Sequence, residues 1–257
     1  DRSRGLGDVY KRQFTACIVF PVSILLDGSL TKIERDRIFV IYIIAFFVIF
    51  FWAAYEQAGA SLTLFAAEQT DRTILGWEMP ASWIQSFNPF FVVILAAIMP
   101  SVWGALNKRG MEPASPTKQA IGLLLLSLGY LVICFGVKDV QPGVKVSLIW
   151  LTGLYFIHTM GEIALSPIGL SMVNKLTPVR FASLMMGIWY LSTSTANKFA
   201  GTLGGLYPED GKVKTLLGFR IETMFDFFMV FVIMSGVASL ILFLLSKKLQ
   251  KMMHGVE

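Results

Sequence analysis

Glu162 sits near the middle of an apolar run, 145–172, that is long enough to cross a hydrocarbon core needing about 20 helical residues. An acid at that depth costs roughly 2.5 to 3.5 kcal/mol, so it is expected to face a protein interior or a watery path. There it could exchange a proton or dock a cation. His158, Glu162 and Ser166 recur every four residues, which stacks them on one helix face. A histidine and a glutamate so spaced could share a metal or act as an acid–base pair. Equally, His158 could hydrogen-bond across helices or support Glu162. No third ligand lies near, and the only other histidine, His254, is in the basic tail.

Other polar residues interrupt apolar runs. Pro167, beside Ser166, frees the carbonyl near Ile163 and makes that helix breakable next to its acid. Trp189 shares a stripe with Met185 and Thr193 in the next run. Glu56 follows the apolar stretch 38–55; if the helix continues to Ala67, Glu56 lies inside the membrane and shares a face with Trp52, Gly59 and Thr63. Otherwise it marks a helix end at the interface. Asn88, with Gln85 three residues before it and Pro89 after it, is a polar and kinkable point early in another run; it either meets a ligand or hydrogen-bonds a neighbour. Lys198 is expected to snorkel to the nearer surface. Gly161, Pro167, Gly187 and Gly201 are either bending points or packing positions.

The elements that must carry these residues follow from composition. With 55% hydrophobic and 15% charged residues, the chain belongs in lipid. Six spans are expected, at about 38–66, 81–106, 119–137, 145–172, 179–206 and 225–245, giving an all-α membrane protein. The third has no acid and is expected to be a packing helix that faces lipid. The net charge of +5 would suit nucleic acid, yet the bases lie in short clusters between spans, as topology determinants do. Alternating the loops puts eleven bases on one side, among them Arg37, Lys118, Arg180 and Lys251, against six on the other, so the first side is read as cytoplasmic. Both ends then lie inside. Cys17 and Cys134 sit in apolar surroundings and read as small buried side chains. Residues 1–13, DRSRGLGDVYKRQ, read as a cloning or sequencing linker, and 14–30 as what remains of a helix whose start is missing.

Three blocks carry a resemblance: FWAAYEQAGASLTLFA at 51–66, SWIQSFNPFFVVILA at 82–96, and GEIALSPIGLSMVNKLTP with MMGIWYLSTSTANKFAG across 161–201. With their spacing, they resemble the proton-dependent oligopeptide transporters of the major facilitator superfamily over residues 31–257. The resemblance implies a six-transmembrane-helix bundle, the C-terminal half of a twelve-helix fold. It makes 14–30 the remnant of an inter-bundle helix and 31–257 the C-terminal bundle of a bacterial member. By the same resemblance, Glu162 corresponds to the acid that receives a peptide's amino group. Glu56 corresponds to an acid that shares with it in proton coupling and gating. Asn88 matches a peptide-contacting asparagine, Ser166 lies beside the site, and Trp52 and Trp189 match aromatic walls. The basic residues that would take the peptide carboxylate belong to the first bundle and have no counterpart here.

The implied function is that of a fragment of a proton-coupled symporter importing di- and tripeptides by alternating access, in a bacterial inner membrane. Protons are the coupling ion, with no cofactor, metal, catalytic residue or nucleic acid. Its partners are the lipid bilayer and the N-terminal six-helix bundle. One alternative keeps the fold and carries another solute such as nitrate, though a bare anion would be repelled by Glu162. The other is an intramembrane His/Glu enzyme.

Overall fold

The computed structural model describes residues 15–16, 18–138, 140, 144–208 and 212–256. Cys17 and residues 1–13, read above as a linker, lie outside the described residues. Residues 18–25 are helical, and this segment packs onto the bundle through Ile24 and Leu30, 2% and 7% exposed.

The first long helix, α1 (Lys32–Tyr55), starts at a capping box in which Thr31 and Glu34 satisfy each other's backbone donors. The expected single helix through residue 66 is not what forms. A 3-10 turn over Glu56–Gly59 and a non-helical Ala60 (φ −124°, ψ −102°) separate α1 from α2 (Ser61–Glu68). The cause is local. The fully buried Gln57 sends its Nε2 to Ala53 O at 3.1 Å, replacing a helical bond with a side-chain one, and to Ala200 O at 2.9 Å. Trp52, Glu56, Gly59 and Thr63 therefore do not line one continuous helical face.

The next helix, α3 (Phe87–Lys108), follows a 3-10 turn over Ala81–Ser86. Pro89 falls in its first turn, where the missing N–H would have had no helical partner, so the expected kink at Asn88-Pro89 is absent. Then come α4 (Ser115–Val137), α5 (Leu148–Leu176), α6 (Ala182–Gly204) and α7 (Met224–Met252). Helix α5 runs unbroken across Pro167. Gln119 of α4 supports it there by donating Nε2 to Leu165 O at 2.8 Å.

The third expected span, α4, is a packing helix, with Leu124, Leu128 and Phe135 left exposed on its outer side. It packs between α5 and α7, burying Leu123, Leu126, Tyr130 and Ile133 completely. Its glycines at 122, 129 and 136 recur every seven residues on the α5 side. A Cβ at Gly129 would stand 2.3 Å from His158 Cδ2, and one at Gly136 would stand 2.5 Å from Trp150 Cγ. On the α7 side, Ser127 donates to Val232 O and Ser239 to Ala120 O, at 2.8 and 2.7 Å.

Small strands decorate one end, where the sequence reading had only loops. Among them, β1 (Thr70–Asp71) pairs in parallel with β4 (Val146–Ser147). The strands β2 (Thr73–Ile74) and β3 (Trp77–Glu78) form a hairpin, as do β5 (Lys214–Leu216) and β6 (Phe219–Ile221). Both hairpins turn on a Leu-Gly pair, Leu75-Gly76 and Leu217-Gly218, with φ positive at all four residues. That is the twist a two-residue hairpin demands. At this end Tyr207 donates to Glu68 at 3.3 Å, and burial, then the Glu68 carboxylate, raise its hydroxyl well above the usual tyrosine range.

Among the described residues, five helical stretches are long and apolar enough to cross a membrane: Lys32–Glu68, Ala81–Lys108, Ser115–Val137, Leu148–Leu176 and Met224–Met252. Helix α6 is also long, at 23 residues, but its stretch from Ser192 to Lys198 makes it more polar. The molecule is thus a mostly helical membrane protein.

Candidate functional site

Three helices deliver the site. Tyr55 ends α1, Asn88 lies in the first turn of α3, and Thr159 and Glu162 sit one turn apart mid-way along α5. Tyr55 OH donates to Glu162 Oε2 at 2.5 Å, and Asn88 Nδ2 donates to the same oxygen at 2.9 Å. Asn88 Nδ2 also reaches Thr159 Oγ1 at 3.2 Å and makes a short contact with Tyr55 OH. Thr159 Oγ1 in turn donates to Tyr155 O at 2.7 Å. Both of these bonds to the carboxylate fall on Oε2. Glu162 is half-buried, neither sealed in the core nor turned outward.

Hydrogen bonds to a charged group contribute about 1.5 to 3 kcal/mol each. Two of them match the roughly 2.5 to 3.5 kcal/mol that an acid costs at mid-membrane. The pair from Tyr55 and Asn88 therefore offsets the cost of placing Glu162 at that depth.

His158 and Glu162 do not work as a pair. Four residues overshoot one helical turn by about 40°, and here that is enough to send the two side chains to different neighbours. His158 is 3% exposed and places Nε2 3.1 Å from Leu126 O of α4, against the ring of Tyr130 at 4.7 Å. Among the described residues, no three His, Cys, Asp or Glu side chains cluster as a metal site would require.

The remaining predicted residues divide. Trp52 is half-buried beside the Tyr55 ring, 5.3 Å away and nearly perpendicular. Ser166 is half-buried one turn beyond Glu162, and Glu56 is exposed just past Tyr55. Trp189 is only 4% exposed, and a Cβ on Gly169 would meet its ring at 2.6 Å, so it packs α6 onto α5. Gly161 is likewise a packing glycine, its Cβ position 2.8 Å from Gly122 O, whereas Gly187 and Gly201 have nothing within 4 Å. Two contributors were missed, Tyr55 and Thr159. Thr159 had a usable signal, a polar residue three positions before the buried acid. Tyr55 had none beyond its place next to Glu56, because it meets Glu162 only through tertiary packing.

Comparison with known proteins agrees with this geometry. The peptide transporter YePEPT of Yersinia enterocolitica is 37% identical over 71% of this chain and 36% of its own length. Dipeptide and tripeptide permease A of Escherichia coli is 30% identical over 85% of this chain and 43% of its own. A mutant of peptide transporter POT, solved in complex with alafosfalin, superimposes with a TM-score of 0.85 at 28% identity. That superposition covers 99% of this chain and 50% of the other. This chain thus spans half or less of the length of each. The family model described as "POT family" matches residues 15–217. On the strength of that match and these relatives, the chain belongs to the POT family.

Proposed function

We propose that this chain is the C-terminal six-helix half of a proton-coupled symporter that imports di- and tripeptides. The observation that carries the reading is the half-buried Glu162 carboxylate, held mid-helix by the neutral donors Tyr55 and Asn88 on one oxygen. A peptide has a fixed ammonium and a fixed carboxylate with variable side chains between, so a general carrier clamps the ends. Glu162 takes the ammonium by a charge-assisted bond. Asn88 and Ser166 contact the peptide, and Trp52 supplies an apolar wall that discriminates poorly, which suits many substrates, while the buried Trp189 holds α6 against α5 behind the site. The carboxylate end of the peptide is left to the N-terminal six-helix bundle.

Glu56 and Glu162 share the proton coupling. A carboxyl in a low-dielectric cavity favours its neutral form, and an arriving ammonium favours the carboxylate, so peptide binding and proton release are linked. One net charge moved inward releases about 2.3 kcal/mol per 100 mV, or about fiftyfold accumulation, so a single proton suffices to concentrate nutrients. The two halves rock about the midplane site in alternating access. The protein resides in a bacterial inner membrane with both ends cytoplasmic, uses protons as its only coupling agent, and catalyses no reaction. A nitrate-carrying variant of the fold is disfavoured because Glu162 would repel a bare anion.

The test is proton-driven dipeptide uptake by the full-length protein. Glu162→Gln is expected to abolish it; uptake at the unsubstituted rate contradicts the assignment. Glu56→Gln is expected to lose accumulation against a gradient while retaining peptide exchange, and normal accumulation would remove Glu56 from the coupling.

A further inference from the structure

We propose that Tyr55 is a positioning residue that ties Glu162 to the break in the first span, so that a ligand on Glu162 competes with the tie and frees the outer segment. The inference rests on the reading above that Glu162 receives the ammonium. Tyr55 is the last residue of α1 and the one that enters the 3-10 turn Glu56–Gly59. Beyond that turn lies Ala60, and beyond Ala60 the eight-residue α2. A few residues at the end of an element are where hinge motions are absorbed.

Two side chains at this break, Tyr55 and Gln57, bond to other helices. Gln57 Nε2 donates to Ala200 O of α6 at 2.9 Å, while Ser61 Oγ of α2 donates to Gln57 Oε1 at 2.7 Å. That tie ends on a backbone carbonyl, which no ligand titrates or displaces. The other tie, Tyr55 OH to Glu162 Oε2, ends on the acid that the ligand uses. Of the two, only Tyr55 can sense occupancy. An ammonium on Glu162 draws on the charge that makes the tyrosine bond strong, and the Gln57 tie then carries more of the restraint on the break, with Tyr130 OH on Ala54 O at 2.7 Å behind it. Part of the remaining restraint on α2 comes from Gln85, whose Nε2 donates to Thr63 Oγ1 at 2.9 Å.

Tyr55→Phe is a clean probe. The ring stacks on Phe51 at 5.5 Å and meets Trp52 edge-on at 5.3 Å, and these contacts survive loss of the hydroxyl. Spin labels at Leu75→Cys and Leu217→Cys, both wholly exposed at hairpin tips, report how the α2 end moves relative to the hairpin between α6 and α7. Cys17 and Cys134 would be replaced by alanine in the full-length protein in lipid nanodiscs. Without peptide, Tyr55→Phe is expected to shift or broaden the label-to-label distance distribution relative to the unsubstituted protein. Dialanine is expected to move the unsubstituted protein in the same direction. Glu162→Gln, whose amide oxygen still accepts from Tyr55, is expected to keep the peptide-free distribution with and without dialanine. A peptide-free Tyr55→Phe distribution identical to that of the unsubstituted protein overturns the tie. Because that comparison contains no peptide, it decides the tie even where a failed dialanine response would count against the peptide reading.

Discussion

A carboxylate at mid-membrane survives only with partners, and Glu162 has two neutral donors instead of a cation. That choice matters for function, because a lysine or arginine locked onto the acid would compete with an incoming ammonium far more strongly than a phenol and an amide do. Asn88→Ala removes one donor and is expected to weaken dipeptide uptake about tenfold, the effect of losing about 1.4 kcal/mol from one bond to a charged group. The check is the concentration giving half-maximal uptake, and an unchanged value would take Asn88 out of the site. The acid and the asparagine were legible in the sequence because a polar residue in an apolar run is conspicuous. Tyr55 was not, since its hydroxyl meets residues 33 and 107 positions away, and no periodicity encodes such a meeting. His158 hydrogen-bonds across helices to Leu126 O, one of the readings its sequence allowed, but helical spacing, which says which side chains share a stripe, did not say which neighbour it would find.

The helices themselves were readable from run length, and their interruptions were not. Prolines at 89 and 167 suggested kinks, yet one falls in a first turn and the other is carried by an intact helix braced by Gln119. The real break, at Glu56–Ala60, depends on a buried glutamine that binds α6, a partner nearly 150 residues away. The two Leu-Gly hairpins were equally hidden, because a leucine with positive φ contradicts its ordinary preference. Close packing of α4 on α5 rests on glycines at a seven-residue interval. Gly129→Ala would force a methyl into His158 and is expected to cost about 1 to 3 kcal/mol, lowering the thermal midpoint in detergent. Gly187→Ala, with open space around it, is the control and is expected to leave the midpoint unchanged. Equal midpoints for both variants would contradict the packing account.

At the scale of the molecule, contacts gather the basic segments at one end. Arg180 bonds Ser29 O and Glu34 at 3.1 and 3.0 Å, Arg37 bonds Met253 O at 3.1 Å, and His254 meets Asp36 at 2.8 Å. The hairpins and the β1–β4 pair occupy the ends of the helices that the basic turns do not. With the positive end cytoplasmic, an impermeant thiol reagent added to intact cells is expected to label Leu75→Cys and spare Val179→Cys, both almost fully exposed. The reverse pattern would invert the orientation.

The account turns on Glu162 recognising a peptide's ammonium, and one comparison isolates that contact. In the full-length protein, competition of dialanine and N-acetyl-dialanine against a labelled dipeptide measures what the free amine contributes. One charge-assisted bond is about 1.5 to 3 kcal/mol, so the unsubstituted protein is expected to prefer dialanine by roughly tenfold to a hundredfold. In Glu162→Gln that preference is expected to fall close to one. A preference for the free amine that persists undiminished in Glu162→Gln would show that the ammonium docks elsewhere.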